Sequence, residues 1–227
     1  MADALLRGVF PADVALAWAR IDDRTDELFP EEAALLVKAV PKRRREFTHG
    51  RTCARRALAS LGVEPGPLLV GAAREPLWPS AIVGSITHDS ELCIAVAAHS
   101  LAYAGIGVDV EPDEPLTPEV AARIWSPEEA RAAEASGVVP VASAAKLVFA
   151  AKEAVYKCQF AVTGAYVGFR GVHIELGAGT FSATLTAPVR SLPAGFSFAG
   201  EWRRANDEVF TAVWLRAGHL DFAASAR

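Results

Sequence analysis

An α+β fold in two halves is what this sequence predicts, and three observations carry the prediction. Apolar residues recur at helical spacing from Pro30 to Leu61, short Val- and Ile-rich runs follow from Leu68 to Val110, and helix then strands return after Ser126. With 227 residues, 52% of them hydrophobic and 22% charged, the chain carries enough apolar side chain to bury a core, which excludes disorder. That length suits one compact unit with a boundary near residue 100, giving halves of 1–102 and 103–227. No low-complexity linker separates them, so they are expected to share an interface, and no internal repeat is visible in the residues.

The first helix is expected from Pro30, where Glu31 and Glu32 suit the positive helix start and Leu35, Leu36 and Val40 supply an apolar face up to Pro41. A second runs from Lys42 to Leu61, with Phe47, Ala54, Ala57, Leu58 and Leu61 inward and Gly62 as its stop. Leu68–Val70, Ile82–Ile86, Leu92–Ala97 and Tyr103–Val110 read as strands. Ser126-Pro127-Glu128-Glu129 has the form of a capping box, and a long helix covers about 142–158. Strand-like runs close the chain at Val172–Leu176, Phe181–Thr186, Phe196–Trp202 and Val209–Leu215.

Lys and Arg number 23 against 27 Asp and Glu, a formal net charge of -4, which argues against general nucleic-acid binding. Charged or turn residues interrupt every apolar run short of a membrane span. Asp3, Arg7, Pro11 and Asp13 break up any leader pattern, so an unprocessed N-terminus is expected. The three cysteines, Cys53, Cys93 and Cys158, match no zinc or disulfide spacing, which suits a reducing, cytoplasmic setting.

Against that acidic balance, Lys42 to Arg56 holds seven basic residues and one acid. On the strand Gly105 to Pro112, Asp109 and Glu111 lie two apart and so project to one side. In Ala151-Lys152-Glu153-Ala154-Val155-Tyr156-Lys157, Glu153, Tyr156 and Lys157 share a helix face with Lys152 at its flank. Three carboxylates from two segments suit magnesium, which takes a few carboxylates and completes its shell with water and phosphate oxygens. A strand ending Ser85-Ile86-Thr87-His88 brings two hydroxyls and an imidazole to its tip, where they can face a phosphate. Taken singly, each feature has an ordinary alternative: an acidic loop after a strand, a Glu153–Lys157 helix pair, a structural histidine, a solvated basic face. Charge separated into a basic helix and an acidic cluster is what a polyphosphate ligand requires.

Arg43-Arg44-Arg45-Glu46-Phe47 with Gly50-Arg51-Thr52, then Glu75-Pro76-Leu77-Trp78-Pro79, Gly84 to His88, Gly107 to Glu111 and Ala151 to Lys157 together resemble the 4'-phosphopantetheinyl transferases. The similarity is to the branch serving siderophore, polyketide and nonribosomal peptide synthesis, and its motifs span about residues 30–160 in family order. The resemblance implies transfer of phosphopantetheine from coenzyme A, the co-substrate, to a serine of an acyl or peptidyl carrier protein, with release of 3',5'-ADP. It implies a monomeric pseudo-dimer of two α+β halves with coenzyme A in the cleft between them. By motif position, Asp109, Glu111 and Glu153, with the Val110 carbonyl, would hold magnesium, or manganese in its place. Arg43, Arg51, Arg74, Ser85, Thr87 and His88 would bind coenzyme A, together with Asp109, Lys152 and Tyr156. Glu153, Lys152 and Lys157 would carry the catalysis.

Ala73 stands where this branch often has a basic residue, Ala81 replaces a usual glycine, and Asp89 and Glu91 add acids after the histidine. Without metal, the three site acids are expected to repel one another. Two other functions use the same residues: a coenzyme A-binding protein without transfer activity, and a magnesium-dependent phosphohydrolase with water as acceptor.

Overall fold

The computed structural model describes residue 6, residues 8–22 and residues 28–219. The expected unprocessed N-terminus, which rests partly on Asp3 and Arg7, lies outside them. Strand β1 is Ala15–Arg20, helix α1 Pro30–Ala34, and helix α2 Pro41–Ser60. Three strands follow, β2 Ile82–His88, β3 Leu92–His99 and β4 Tyr103–Pro112. Helices α3 Pro118–Ile124, α4 Pro127–Ser136 and α5 Val141–Thr163 precede β5 Val172–Gly177, β6 Thr180–Leu185, β7 Ser197–Ala205 and β8 Glu208–Arg216.

The helix expected up to Val40 stops after one turn. Leu36 is buried, but Leu35 and Val40 are exposed, so these apolar residues do not form one inward face. Tight turns replace it, and the Arg44 side chain donates to the Val37 and Ala39 carbonyls left open there. Leu68–Val70 is not a strand; Val70 makes only an isolated bridge to Pro76.

The strands form two antiparallel sheets, ordered β1-β3-β2 and β4-β8-β7-β6-β5. Ala95 and Ala97 on one face of the first sheet take Cys53, Ala54, Ala57 and Leu58 of α2. From its other face Ile94 and Val96 meet Ile106, Val108 and Val110 of β4 in a shared core. The far side of the second sheet receives α5, whose Ala151, Ala154, Val155 and Cys158 pack on Val213 and Leu215. The expected interface between the two parts of the chain is therefore a central apolar layer, with one long helix on each outer side.

One row of β4 sets the site. Gly105, Gly107, Asp109 and Glu111 alternate on the face toward α5. An added Cβ would stand 2.3 Å from the Cys158 carbonyl oxygen at Gly105 and 1.8 Å from that of Ala154 at Gly107. The two glycines let α5 lie directly on the strand, so its side chains reach the acids that continue the row.

Ala81, in the glycine position of the motif, has φ +66°. A Cβ in the left-handed region costs about 1–2 kcal/mol. Ala81→Gly is therefore expected to stabilise by about 1 kcal/mol after glycine's extra unfolded freedom, raising Tm by about 2–4 °C in thermal unfolding.

Candidate functional site

Asp109 is buried at the centre of the site. Its Oδ1 accepts from the Thr87 hydroxyl at 2.9 Å and the Lys157 ammonium at 2.7 Å, while Oδ2 is buried without a hydrogen-bond partner. Lys157 also donates to the Val108 carbonyl at 2.9 Å. Glu111 pairs with Lys146 at 2.9 Å, a residue the sequence reading did not single out. Burial raises the Glu153 carboxyl above the usual glutamate range, reinforced by Asp109 and Glu111 and opposed by Lys157. Glu111 is likewise raised, first by burial, with Lys146 opposing and Asp109 reinforcing.

The expected repulsion among the three acids is therefore present, and these pairings offset part of it. Lys157 and Lys146, both from α5, supply counter-charge to Asp109 and Glu111. As the side chains stand, no three His, Cys, Asp or Glu among the described residues form a group that could hold a metal ion. Val110 is a buried strand residue whose register partner is Phe210.

Ser85 and Thr87, expected to face a phosphate, use their oxygens within the protein. Ser85 Oγ accepts the Val108 N–H and Thr87 Oγ1 the Val110 N–H, both at 3.2 Å. These N–H groups lie on the edge of β4 away from β8, so the two hydroxyls join the sheets and cover an open edge. Lys152, unlike Thr87 and Lys157, does not join Asp109. Its ammonium donates to the Ile124 and Phe169 carbonyls at 2.9 and 2.8 Å and pairs with Glu129 at 2.8 Å. That is a buried tie between α5, α4 and the approach to β5.

The basic side divides by role. Arg43, Arg51, Arg74 and His88 line a cavity of about 490 Å³, together with Lys38, Phe47 and Ile86. Arg51 lies 4.2 Å over the Phe47 ring, and its Nε is buried without a partner. Burial lowers the Arg51 guanidinium to about 10, still charged at neutral pH. Arg43 approaches His88 Nε2 at 3.4 Å, and burial first, then Arg43 and Lys157, depress the imidazole against the pull of Glu46. Arg55 instead turns inward onto Glu32.

Arg74, Pro76 and Ile86 also line a second cavity of about 290 Å³ whose far wall is Tyr156, Lys157 and Phe160 of α5. Tyr156 in turn lines a third, of about 70 Å³, beside Glu153, Tyr166 and Phe169. Shared lining residues thus lead from the arginine cavity through the second to the third, which Glu153 lines. Arg51, at the basic end, keeps a buried Nε–H without an acceptor, and Asp109, behind Lys157, keeps a buried carboxylate oxygen without a donor. A larger cavity of about 770 Å³ opens on β5–β8 and holds none of these residues.

Residues 31–98 match the 4'-phosphopantetheinyl transferase N-terminal domain, and residues 105–211 match the 4'-phosphopantetheinyl transferase superfamily. The chain is 39% identical to 4'-phosphopantetheinyl transferase Svp of Streptomyces mobaraensis, over 86% of this chain and 82% of that one. It is 36% identical to 4'-phosphopantetheinyl transferase PptT of Mycobacterium tuberculosis, over 93% and 98%. Enterobactin synthase component D of Salmonella typhi is 33% identical, over 78% and 74%.

Proposed function

This chain belongs to the 4'-phosphopantetheinyl transferase family, and from that premise we propose that it moves 4'-phosphopantetheine from coenzyme A to a serine of acyl or peptidyl carrier proteins, releasing 3',5'-ADP. The observation that carries this reading is a line of adjoining cavities, read as one cleft, with Arg51, whose Nε lacks an acceptor, at one end and Glu153 at the other. Coenzyme A spans such a cleft with its anionic phosphates toward Arg43, Arg51, Arg74 and His88. The Ser85 and Thr87 hydroxyls act indirectly, by holding β2 against β4.

The donor chemistry suits magnesium, because Asp109 Oδ2 is a buried hard donor without a partner and Glu111 and Glu153 offer carboxylate oxygens, which would draw together from their present placement to hold it. Asp109, Glu111 and Glu153 would hold it, with the Val110 carbonyl as a further oxygen. When bound, it would neutralise charge on the phosphate oxygens.

The carrier serine attacks the phosphorus bearing the pantetheine arm. A serine oxygen to phosphorus bond forms, and the pyrophosphate bond to 3',5'-ADP breaks with its electrons. Glu153 takes the serine proton, and its raised affinity for protons supports that role. Lys157 offers positive charge to the departing phosphate. Lys152 contributes by fixing α5, since its ammonium is already fully engaged.

We read residues 1–102 and 103–227 as like halves of a monomer working in the cytoplasm. The corresponding strand orders β1-β3-β2 and β4-β8-β7 support the halves, and three cysteines outside any disulfide support the compartment. Among the described residues no helix is long and apolar enough to cross a membrane.

Mass spectrometry of apo-carrier proteins incubated with coenzyme A and magnesium tests the reading. One phosphopantetheine on one serine supports it, whereas coenzyme A hydrolysis without carrier, or binding without either, overturns it. Arg51→Ala is expected to raise KM for coenzyme A about 10–100-fold, as loss of a charged hydrogen bond predicts, with kcat changed little. An unchanged KM would place Arg51 outside the phosphate site.

A further inference from the structure

Glu32 is wholly buried, yet no step above uses it. Its Oε2 accepts the Phe29 N–H at 3.1 Å, and its two oxygens meet Arg55 at 3.1 and 2.9 Å. Oε1 also accepts the Leu68 N–H at 2.9 Å. Leu68 starts a segment that folds back through Gly71 and Glu75 to Leu77, closed by the Val70 and Pro76 bridge. Val70, Arg74 and Pro76 of that segment wall the arginine cavity. Arg51 leans on the same segment, with its Nη2 at 3.5 Å from the Leu69 carbonyl. A single carboxylate therefore ties α1, α2 and the cavity wall together.

The second half of the chain builds the same device from a different sequence. Glu129 stands at the third position of α4, as Glu32 does of α1, and its Oε2 accepts the Ser126 N–H at 2.7 Å. Its cation, Lys152, follows by 23 residues on the long helix, the separation between Glu32 and Arg55. Its Oε1 accepts the Ile174 N–H at 2.8 Å, in the first strand after that helix. This is a repeat that the sequence does not display, because its members are three isolated positions in each half. Around Glu129 the device holds α5 and Phe169, away from the arginines. Around Glu32 it holds the wall that carries Arg74 and supports Arg51.

We propose that Glu32 is a positioning residue for coenzyme A, its buried carboxylate fixing the 68–77 segment on α2 so that Arg51 and Arg74 stand where the phosphates bind. The inference rests on the coenzyme A reading above. It separates two quantities that a general loss of stability would move together. Wrong placement of the phosphate contacts weakens coenzyme A in every folded molecule. Simple destabilisation lowers the folded fraction and leaves the affinity of the remainder unchanged.

The test compares Glu32→Gln with Glu129→Gln by calorimetric titration of coenzyme A and by steady-state transfer. Glu32→Gln is expected to weaken coenzyme A by about 10-fold or more in both Kd and KM, with kcat at saturation within about 3-fold of the parent. Glu129→Gln is expected to keep the parental Kd despite a similar fall in Tm. Arg55→Lys keeps the charge but loses the fork and its place over Phe29, so its Kd is expected to fall between those of the parent and of Glu32→Gln. If Glu32→Gln does not fold, Glu32→Gln with Arg55→Met removes both charges and leaves neither stranded, and the same loss of affinity is expected. Parental Kd in the folded Glu32 variant, or equal weakening in the Glu129 variant, overturns the proposal. A parent protein that does not bind coenzyme A overturns the underlying reading instead.

Discussion

Gly107→Ala is expected to destabilise by about 3 kcal/mol or more and to abolish most transfer, although Gly107 touches no proposed substrate atom. Its Cβ would meet the Ala154 carbonyl oxygen at 1.8 Å and the Cys158 nitrogen at 2.8 Å, and both belong to backbone. No rotamer change relieves that, so α5 must lift from β4. Overpacking usually costs about 1–3 kcal/mol, and contact with helix backbone belongs at the upper end. At this chain length the cost corresponds to a Tm lowered by about 6–12 °C. The displaced helix carries Glu153 away from Asp109 and breaks the 2.7 Å contact of Lys157. Gly66→Ala is the control, since nothing lies within 4 Å of its added Cβ and its φ is not positive. Thermal unfolding and a carrier-labelling assay on both variants check this, and a Gly107→Ala protein with parental Tm would refute the close approach.

Much of this arrangement was legible in the residues. Local periodicity identified α2, α5 and most strands, because each has a buried face long enough to impose its period. β1 escaped notice because Ala15-Leu16-Ala17-Trp18-Ala19 alternates small and large apolar residues, with little polar contrast. α3, at seven residues, is too short for periodicity, and only Thr117 and Pro118 mark it. The alternation of Gly105, Gly107, Asp109 and Glu111 was available as a signal, and its meaning is that a helix lies flush on that row. The partnerships of Lys146, Lys152, Ser85 and Thr87 were not available. Each depends on which segment lies opposite, and a lysine beside a motif glutamate reads as catalytic until the acid buried against it is known. The cysteines contain no hidden framework, since all three are buried and none forms a disulfide.

Glu153→Gln is expected to lower kcat by about 100-fold or more while leaving coenzyme A affinity within a few-fold of the parent, because it removes charge and basicity but keeps shape. The structure supplies a second readout that needs no turnover. Glu153 is raised by burial and by its acidic neighbours, so in metal-free protein it holds its proton more tightly than in the unfolded chain. Between the ordinary glutamate range and that raised value the folded state binds more protons, and stability therefore falls as pH rises through this window. Removing the titrating group should flatten that part of the Tm against pH curve. Magnesium favours the ionised carboxylates, so it should raise the parent Tm above the window and raise that of Glu153→Gln less. A ligand present at about 100 times its Kd adds about 2.7 kcal/mol, which at this length corresponds to about 5–10 °C. Parental kcat would remove Glu153 from the reaction, and an equal magnesium response in both proteins would remove it from the metal site.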